Sequence, residues 1–330
     1  MRSLFAGLWL FSFCHVPVLN AAKISRTYPC YRATAPPALD GEVRHDPVWE
    51  SLPVATGFSK LGDGFTLSKQ TEVRACWDAE ALYLGFVCEE PDVEVMKFTI
   101  ADGGDAWLDD GVEIFLQPGG AGKQVYQLVV TARGKRSGFE GAPDFTKLQV
   151  AAGKGRDFYT LEMRIPERVI GAAPSAGARW RANFCRNIFT TRSGGDKFTS
   201  WAPLQSRFLE PDHFGELVFM DTPCPKETLT QLNNRLNQSY RRDLIRRISS
   251  TARLAPDFTT VLQQATADAK FGRGASDLLG RWERVKCAAA AAQQTSIAEL
   301  RSIAVDASTL EDASSRLKYM FLIHRLLEEN

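Results

Sequence analysis

Alternation of apolar and polar residues with a period of two is the feature that most limits how this chain can fold. It recurs in short runs between residues 30 and 221, for example at 158–165 and 180–187. Side chains that alternate in this way line the two faces of a β-strand. Turns rich in glycine and proline, such as Pro118-Gly119-Gly120, separate the runs. The pattern predicts an antiparallel β-sandwich, of the jelly-roll or immunoglobulin-like type.

The pattern changes after Pro223-Cys224-Pro225. Glycine and proline become rare, and leucines at 229, 232 and 236 begin a series with helical spacing. Pro256 and Gly272-Arg273-Gly274 interrupt this series, so we expect several helices rather than one. The mature chain is therefore predicted to contain a β-sandwich at 23–223 and an α-helical appendage at 224–330.

The first helix of this appendage is predicted to be basic, because it carries Arg235, Arg241, Arg242, Arg246 and Arg247. A solvated helix face is the common explanation for such a run. Docking of a protein partner or an anionic surface through the C-terminal helices is the alternative.

The first 22 residues have the pattern of a secretory signal peptide. Arg2 supplies a positive charge, residues 4–13 form an apolar run, and Asn20-Ala21-Ala22 offers small residues for cleavage. No later segment reaches the ~18 apolar residues that a membrane helix needs. We therefore predict an exported protein, secreted or periplasmic, without a membrane span.

Composition narrows the classes of partner and cofactor. The formal net charge of +1 gives no support for nucleic acid as a partner, and the cysteines form no CxxC pair that would indicate a zinc or redox site. An exported location permits disulfides. Cys30 and Cys224 lie near the two ends of the β-rich region, so a bond between them is a hypothesis, although sequence does not determine the pairing.

Residues 107–116 contain the most suggestive side chains of the chain. Val112, Ile114 and Leu116 should lie on one face of a strand, with Glu113 on the other. An aromatic ring such as Trp107 can stack on the apolar side of a sugar, and a carboxylate can accept hydrogen bonds from its hydroxyls. The alternative is structural, since most tryptophans are largely buried.

Two further carboxylates, Asp109 and Asp110, precede this strand. They could bind calcium, which favours oxygen ligands, or shape the turn into the strand. Together with Glu113 they could also form the carboxylate pair of a glycosidase. The histidines of the mature chain occur in no GxSxG or HExxH arrangement, so we favour a non-catalytic role over hydrolysis.

Four short motifs, in this order, resemble family-nine carbohydrate-binding modules, which are sugar-binding β-sandwiches within the wider DOMON-like group. The resemblance covers about residues 30–221. The motifs are Ala38-Leu39-Asp40-Gly41-Glu42 with Val48-Trp49, residues 73–78 with Leu82-Tyr83-Leu84, residues 107–115, and Ser200-Trp201 with residues 211–217.

The resemblance implies that a sugar is held between two aromatic plates. It assigns Trp107 to one plate and Glu113 to the carboxylate that binds hydroxyls. Phe208 stands where the second plate is usually a tryptophan, and its smaller ring would weaken the clamp. Gln205 is a candidate for an amide contact. The family's arginine on the central strand has no counterpart, because Val129 or Val130 falls at its position.

DOMON-like proteins also include haem binders, with Met96, Met163 and His213 as candidate ligands here. Nothing in their spacing favours haem. The predicted function is therefore exported, non-catalytic binding of an oligo- or polysaccharide, in polysaccharide recognition or breakdown. Glycoside hydrolysis with paired carboxylates and a haem redox module are the alternatives.

Overall fold

The computed structural model describes residues 26–62, 64–190, 192–194 and 196–328. The predicted signal peptide lies outside the described residues. None of the helices in these ranges has the length and apolar content needed to cross a membrane.

Strands dominate the chain up to residue 219, as the period-two pattern predicts. Two single-turn helices interrupt them, α1 (Pro47–Glu50) and α2 (Glu167–Ile170). The strands are β1 (Thr27–Arg32), β2 (Ser59–Lys60), β3 (Thr71–Trp77), β4 (Ala81–Glu89), β5 (Gly111–Gln117), β6 (Tyr126–Thr131), β7 (Arg136–Gly138), β8 (Gln149–Lys154), β9 (Phe158–Pro166), β10 (Arg179–Asn187), β11 (Phe198–Ser200) and β12 (Gly215–Phe219).

The strands form one mixed sheet rather than two separate antiparallel sheets. Their order is β7-β6-β5-β10-β12-β1-β3-β4-β9-β8, with β11 pairing to β10 and β2. Strand β1 joins the two halves, because residues 27–30 pair in parallel with β12 while Tyr31 and Arg32 pair in parallel with β3. Alternation along a strand determines which face a side chain occupies but not which strand lies beside it, so the sequence did not reveal this join.

The sheet curls so that its two halves enclose one apolar core. Val112, Ile114 and Leu116 enter this core from β5, as their spacing predicts. Phe184 of β10 meets Phe86 of β4 across it, with ring centroids 5.8 Å apart in an edge-to-face arrangement. The opposite face of β5 and β10 is therefore the outer face of the curled sheet.

The first of the four motifs forms part of this scaffold. Glu162 of β9 accepts hydrogen bonds from the backbone N–H groups of Asp40 and Gly41 and from the indole Nε1 of Trp49, at 2.6–2.9 Å. Gly41 has φ +88, and a Cβ there would lie 2.9 Å from the backbone of Ala152, so only glycine fits. The motif thus fixes the loop before α1 and the Trp49 side chain through hydrogen bonds to the buried carboxylate of Glu162.

The C-terminal region is helical, as predicted. Its helices are α3 (Leu229–Leu236), α4 (Gln238–Ala252), α5 (Ala255–Ala265), α6 (Gly272–Ala290) and α7 (Ile297–Glu328). They share a second core, in which Trp282 stacks on Phe258 with centroids 5.5 Å apart and donates a hydrogen bond to Ser314.

The helices pack on the β-rich region through polar contacts to its backbone. The Asn237 side chain donates to the carbonyl of Val54 at 2.8 Å and accepts from the N–H of Thr56 at 2.9 Å. Several arginines of α4 also serve internal contacts: Arg247 donates to Asp243 and to the carbonyl of Phe65. Arg241 likewise donates to the carbonyl of Ala292, whereas the other three arginines of the predicted basic face, Arg235, Arg242 and Arg246, are exposed.

The six cysteines of the described residues all have free thiols. Cys30 is buried in the core enclosed by the sheet, whereas Cys224 is half-buried against a separate cluster around Trp49. The structure therefore contains no bond between Cys30 and Cys224, in contrast to the hypothesis drawn from their sequence positions. The two side chains belong to different clusters.

Candidate functional site

Glu113 lies on the outer face of β5, between two neighbouring strands. It is paired in register with Val129 of β6 on one side and Cys185 of β10 on the other. Val129 is the residue that stands opposite the carboxylate, and it is fully buried. The register therefore selects Val129, rather than Val130, as the apolar residue beside Glu113.

The Glu113 carboxylate is held by two side-chain amides. Asn187 Nδ2 donates to Oε1 and Gln127 Nε2 donates to Oε2, each at 2.7 Å. Only 4% of the residue is exposed, and this burial raises the pKa of Glu113 although the two hydrogen bonds oppose the shift. Because each carboxylate oxygen has about two acceptor positions, each can accept one more hydrogen bond.

The sequence analysis missed Gln127 and Asn187. Both are polar residues that alternate onto the outer face of their strands, which was the available signal. Their proximity to Glu113 depends on the pairing of β5 with β6 and β10, which sequence does not supply.

Trp107 lies in a single 3₁₀ turn, Ala106–Leu108, that packs against β5 and β6. The preceding loop crosses the outer face: Ser137, which is paired with Val129, donates its hydroxyl hydrogen bond to the carbonyl of Gly104 at 2.6 Å. Ala106 is buried beneath the turn, while Trp107 is 41% exposed. Trp107 therefore lies on the surface and not in the core, in a turn that packs against the strand that carries Glu113.

Asp109 and Asp110 anchor this segment. Asp109 accepts hydrogen bonds from the backbone N–H groups of Thr99 and Ile100 at 2.7 and 2.8 Å. Asp110 accepts from the N–H groups of Lys97 and Phe189 and from the Thr190 hydroxyl. Both carboxylates are buried, and they tie the junction between the Trp107 turn and β5 to residues 97–100 and to the residues that follow β10.

These contacts also bear on the calcium hypothesis for Asp109 and Asp110. No group of three or more His, Cys, Asp or Glu in the described part of the chain is placed to hold a metal ion. The oxygens of both aspartates accept hydrogen bonds from backbone amides and hydroxyls. These contacts agree with the alternative drawn from the sequence, in which the two aspartates shape the turn into the strand.

Aromatic side chains lie on the other flank of Glu113. Phe198 of β11 is paired in register with Asn187, so the two side chains share the outer face, and Phe198 is 36% exposed. Phe208 is half-buried and meets Phe198 edge to face, with centroids 5.8 Å apart. Phe208, predicted as the second plate, therefore packs on Phe198, and Phe198 was not predicted.

The loop that carries Gln205 and Phe208 is organised by Glu210. Although burial opposes its ionisation, hydrogen bonds from the backbone N–H groups of Gln205, Ser206 and Arg207 lower the pKa of Glu210 to about 2. Gln205 is exposed, with Nε2 3.5 Å from Nε2 of His213. The loop thus holds a fixed shape at neutral pH.

The three candidate haem ligands do not meet in one slot. Met96 and Met163 are both part of the core enclosed by the sheet. His213 lies outside this core, beside Gln205 and Glu210 of the loop. The structure therefore separates the histidine from the two methionines.

Along the sheet, in strand order, lie the Trp107 turn against β6 and β5, Glu113 on β5, Asn187 on β10 and Phe198 on β11. A buried carboxylate with spare acceptor positions is thus flanked by an exposed aromatic on each side. Such a surface can accept hydrogen bonds from hydroxyl groups in its middle and stack apolar ring faces at its edges.

Three solved structures resemble part of the chain. Two are a family 9 carbohydrate-binding module from Caldicellulosiruptor kristjanssonii, in complex with cellotriose (18% identity, 59% of this chain and 94% of that one, TM-score 0.46) and with glucose (19%, 58% and 96%, TM-score 0.45). The third is a protein from Bacteroides uniformis (16%, 59% and 99%, TM-score 0.47).

No curated protein shows significant similarity to the chain. A match to a protein family is found for residues 39–222, which include the strands from β2 to β12 and every residue of the surface described above. The chain therefore belongs to the family described as carbohydrate family 9 binding domain-like.

Proposed function

We propose that this protein is an exported, non-catalytic carbohydrate-binding protein. Its ligand is an oligo- or polysaccharide, bound on the outer face of the sheet. Glu113 accepts hydrogen bonds from sugar hydroxyls, and Trp107 stacks on a ring face. Phe198 supplies a second apolar surface, on β11, and Phe208 packs against the Phe198 ring.

One observation carries this proposal: in the described part of the chain the donors to the buried Glu113 carboxylate are two neutral amides, and exposed aromatic side chains are carried by the turn against β5 and by β11. The amides of Gln127 and Asn187 orient Glu113 without neutralising its charge. A hydrogen bond to a charged acceptor contributes about 1.5–3 kcal/mol, so such a carboxylate favours a ligand rich in hydroxyl groups. Membership of a carbohydrate-binding family supports the same ligand class.

The test begins with a glycan array, which identifies the sugars that the wild-type protein retains. Affinity for a retained oligosaccharide is then measured by calorimetry for Trp107→Ala and Trp107→Phe. We expect Trp107→Ala to lose about 2–4 kcal/mol of binding free energy, as for other tryptophans at the centre of a contact, and Trp107→Phe to lose less.

Thermal unfolding provides the control. Because Trp107 is 41% exposed, Trp107→Ala should change the melting temperature by no more than a few degrees, and Val95→Ala, at another exposed apolar site, should affect neither property. Unfolding of Trp107→Ala would instead make Trp107 a core residue. A wild-type protein that retains no glycan, or that cleaves the ones it retains, would contradict the proposal.

A further inference from the structure

The last turns of α7 are apolar on two opposite sides. On one side Phe321 is buried and meets Phe271, the residue before α6, with ring centroids 5.9 Å apart. On the other side lie five large apolar side chains whose exposed fractions run from 41% to 74%. We call these five residues the α7 patch: Tyr319, Met320, Leu322, Ile323 and Leu327.

Exposed apolar residues elsewhere are dispersed. Among the described residues, the other large apolar side chains with high exposure are Val95, the Trp107 and Phe198 of the proposed sugar site, Val305 farther along α7, and Leu326 within the same final turns. Clustering of this kind on a surface marks an interaction site, whereas single exposed residues need no explanation.

The size of the α7 patch agrees with a contact between two copies of this chain. Each side chain exposes on the order of 100 Å² of apolar surface, so the patch exposes about 500 Å². Two copies would together bury about 1,000 Å², which is the size at which specific interfaces begin.

The pattern of the patch is self-complementary. Tyr319, Ile323 and Leu327 form a row with a spacing of four residues, and residues at this spacing lie above one another on a helix. No charged residue lies within this row. If two such helices cross antiparallel about a two-fold axis at Ile323, then Ile323 meets its own copy and Tyr319 of each helix meets Leu327 of the other.

We propose that the protein dimerises through the α7 patch, with the two α7 helices packed antiparallel about Ile323. The dimer does not depend on sugar binding. It would, however, present two outer-face sites on one particle, and linked sites retain a repetitive ligand more strongly than one site does. That consequence, unlike the dimer, rests on the proposed function.

Sedimentation equilibrium without sugar tests the dimer, using the chain after removal of residues 1–22. We expect a monomer–dimer equilibrium in the wild type. Ile323→Asp places two carboxylates face to face and should weaken association by at least about a hundredfold. Val305→Asp is the matched control, because Val305 is an exposed residue of the same helix outside the patch, and it should associate like the wild type.

Opposite charges introduced at Ile323 of the two copies test whether this residue lies on the two-fold axis. Ile323→Lys alone should be monomeric, like Ile323→Asp alone, but an equimolar mixture of the two variants should form heterodimers. Helix content measured by circular dichroism should be the same in all variants, since Ile323 is exposed.

The following results would overturn the proposal. The wild type could remain monomeric at all accessible concentrations, or its dimer could be unaffected by Ile323→Asp. The mixed variants could fail to associate although each is folded. Finally, a monomeric wild type that co-sediments with vesicles of phosphatidylcholine and phosphatidylserine, and loses this property in Ile323→Asp, would assign the patch to a membrane surface.

Discussion

Arg186 and Asn187, neighbours in β10, belong to two different kinds of polar cluster. Arg186 points inward and lies with Glu90 and Lys69, and all three side chains are at most 1% exposed. Asn187 points outward to Glu113. In the inner cluster Glu90 has two cationic partners, at 2.7 and 3.2 Å, whereas in the outer cluster Glu113 has only neutral amide donors.

The difference separates a cluster that serves the scaffold from the cluster proposed to bind the ligand. Opposite charges pair with one another in the inner cluster, where Arg186 also donates to the carbonyls of Lys69 and Glu89, so the charge of Glu90 is compensated within the protein. A carboxylate held by amides keeps its charge and part of its acceptor capacity. The outer cluster also lies beside exposed aromatics, which the inner one lacks. Burial of a charged group is therefore not by itself a sign of function. The charge of its hydrogen-bonding partners shows whether the group is available to a ligand.

The largest effect is expected in the inner cluster. Glu90→Ala leaves Arg186 buried without its counter-charge and leaves Lys69 with only Asp92, 3.7 Å away, and loss of one partner of a buried pair costs about 3–5 kcal/mol. The free energy of unfolding, measured by urea denaturation, should fall by this amount. Glu94→Ala is the matched control, since its ion pair with Lys154 is exposed and contributes little. Equal effects of the two substitutions would remove the contrast between the clusters.

The next effect is expected in the outer cluster, and on binding rather than stability. Glu113→Gln should weaken sugar binding by about 1.5–3 kcal/mol, because it removes a charged acceptor. It should not lower the free energy of unfolding, because the pKa of Glu113 is raised by burial, which means that folding disfavours the charged form. Calorimetry and urea denaturation measure the two quantities on the same samples.

The pH dependence of binding provides the control for Glu113→Gln. Affinity of the wild type should fall as the pH drops through the pKa of Glu113, which burial holds above the ordinary value of 4.5, since the protonated carboxyl has lost its charge. The glutamine variant should lack this transition. A wild type whose affinity is unchanged through the acid range would show that the charge of Glu113 is not used.

The smallest effect is expected at the aromatic flank. Phe198→Ala removes a ring that is partly exposed and that also packs on Phe208, so we expect a loss of about 0.5–1.5 kcal/mol in sugar binding. Phe198→Tyr keeps the ring and should bind like the wild type. If Phe198→Ala binds normally while Phe208→Ala does not, the loop rather than β11 supplies the second aromatic surface.

Local pattern was sufficient for several features of the molecule. The division near residue 223, the helices beyond it, and the inward and outward faces of β5 all follow from periodicity, because 2.0 and 3.6 residues per repeat are properties of the backbone itself. Trp107 and Glu113 stand six residues apart in one motif, so both could be singled out without tertiary information. The four ordered motifs were enough to suggest the family.

Tertiary structure decided which residues accompany them. The join through β1 makes one mixed sheet, and the pairing of β5 with β6 and β10 brings Gln127 and Asn187 to Glu113. Phe198 reaches the same face only because β11 pairs with β10. These contacts link residues far apart in sequence, and they depend on strand register, which is set by packing and turns and not by the residues of one strand. Sequence alone thus determined which side chains of β5 point inward and that Glu113 points outward, and the fold determined the neighbours of Glu113.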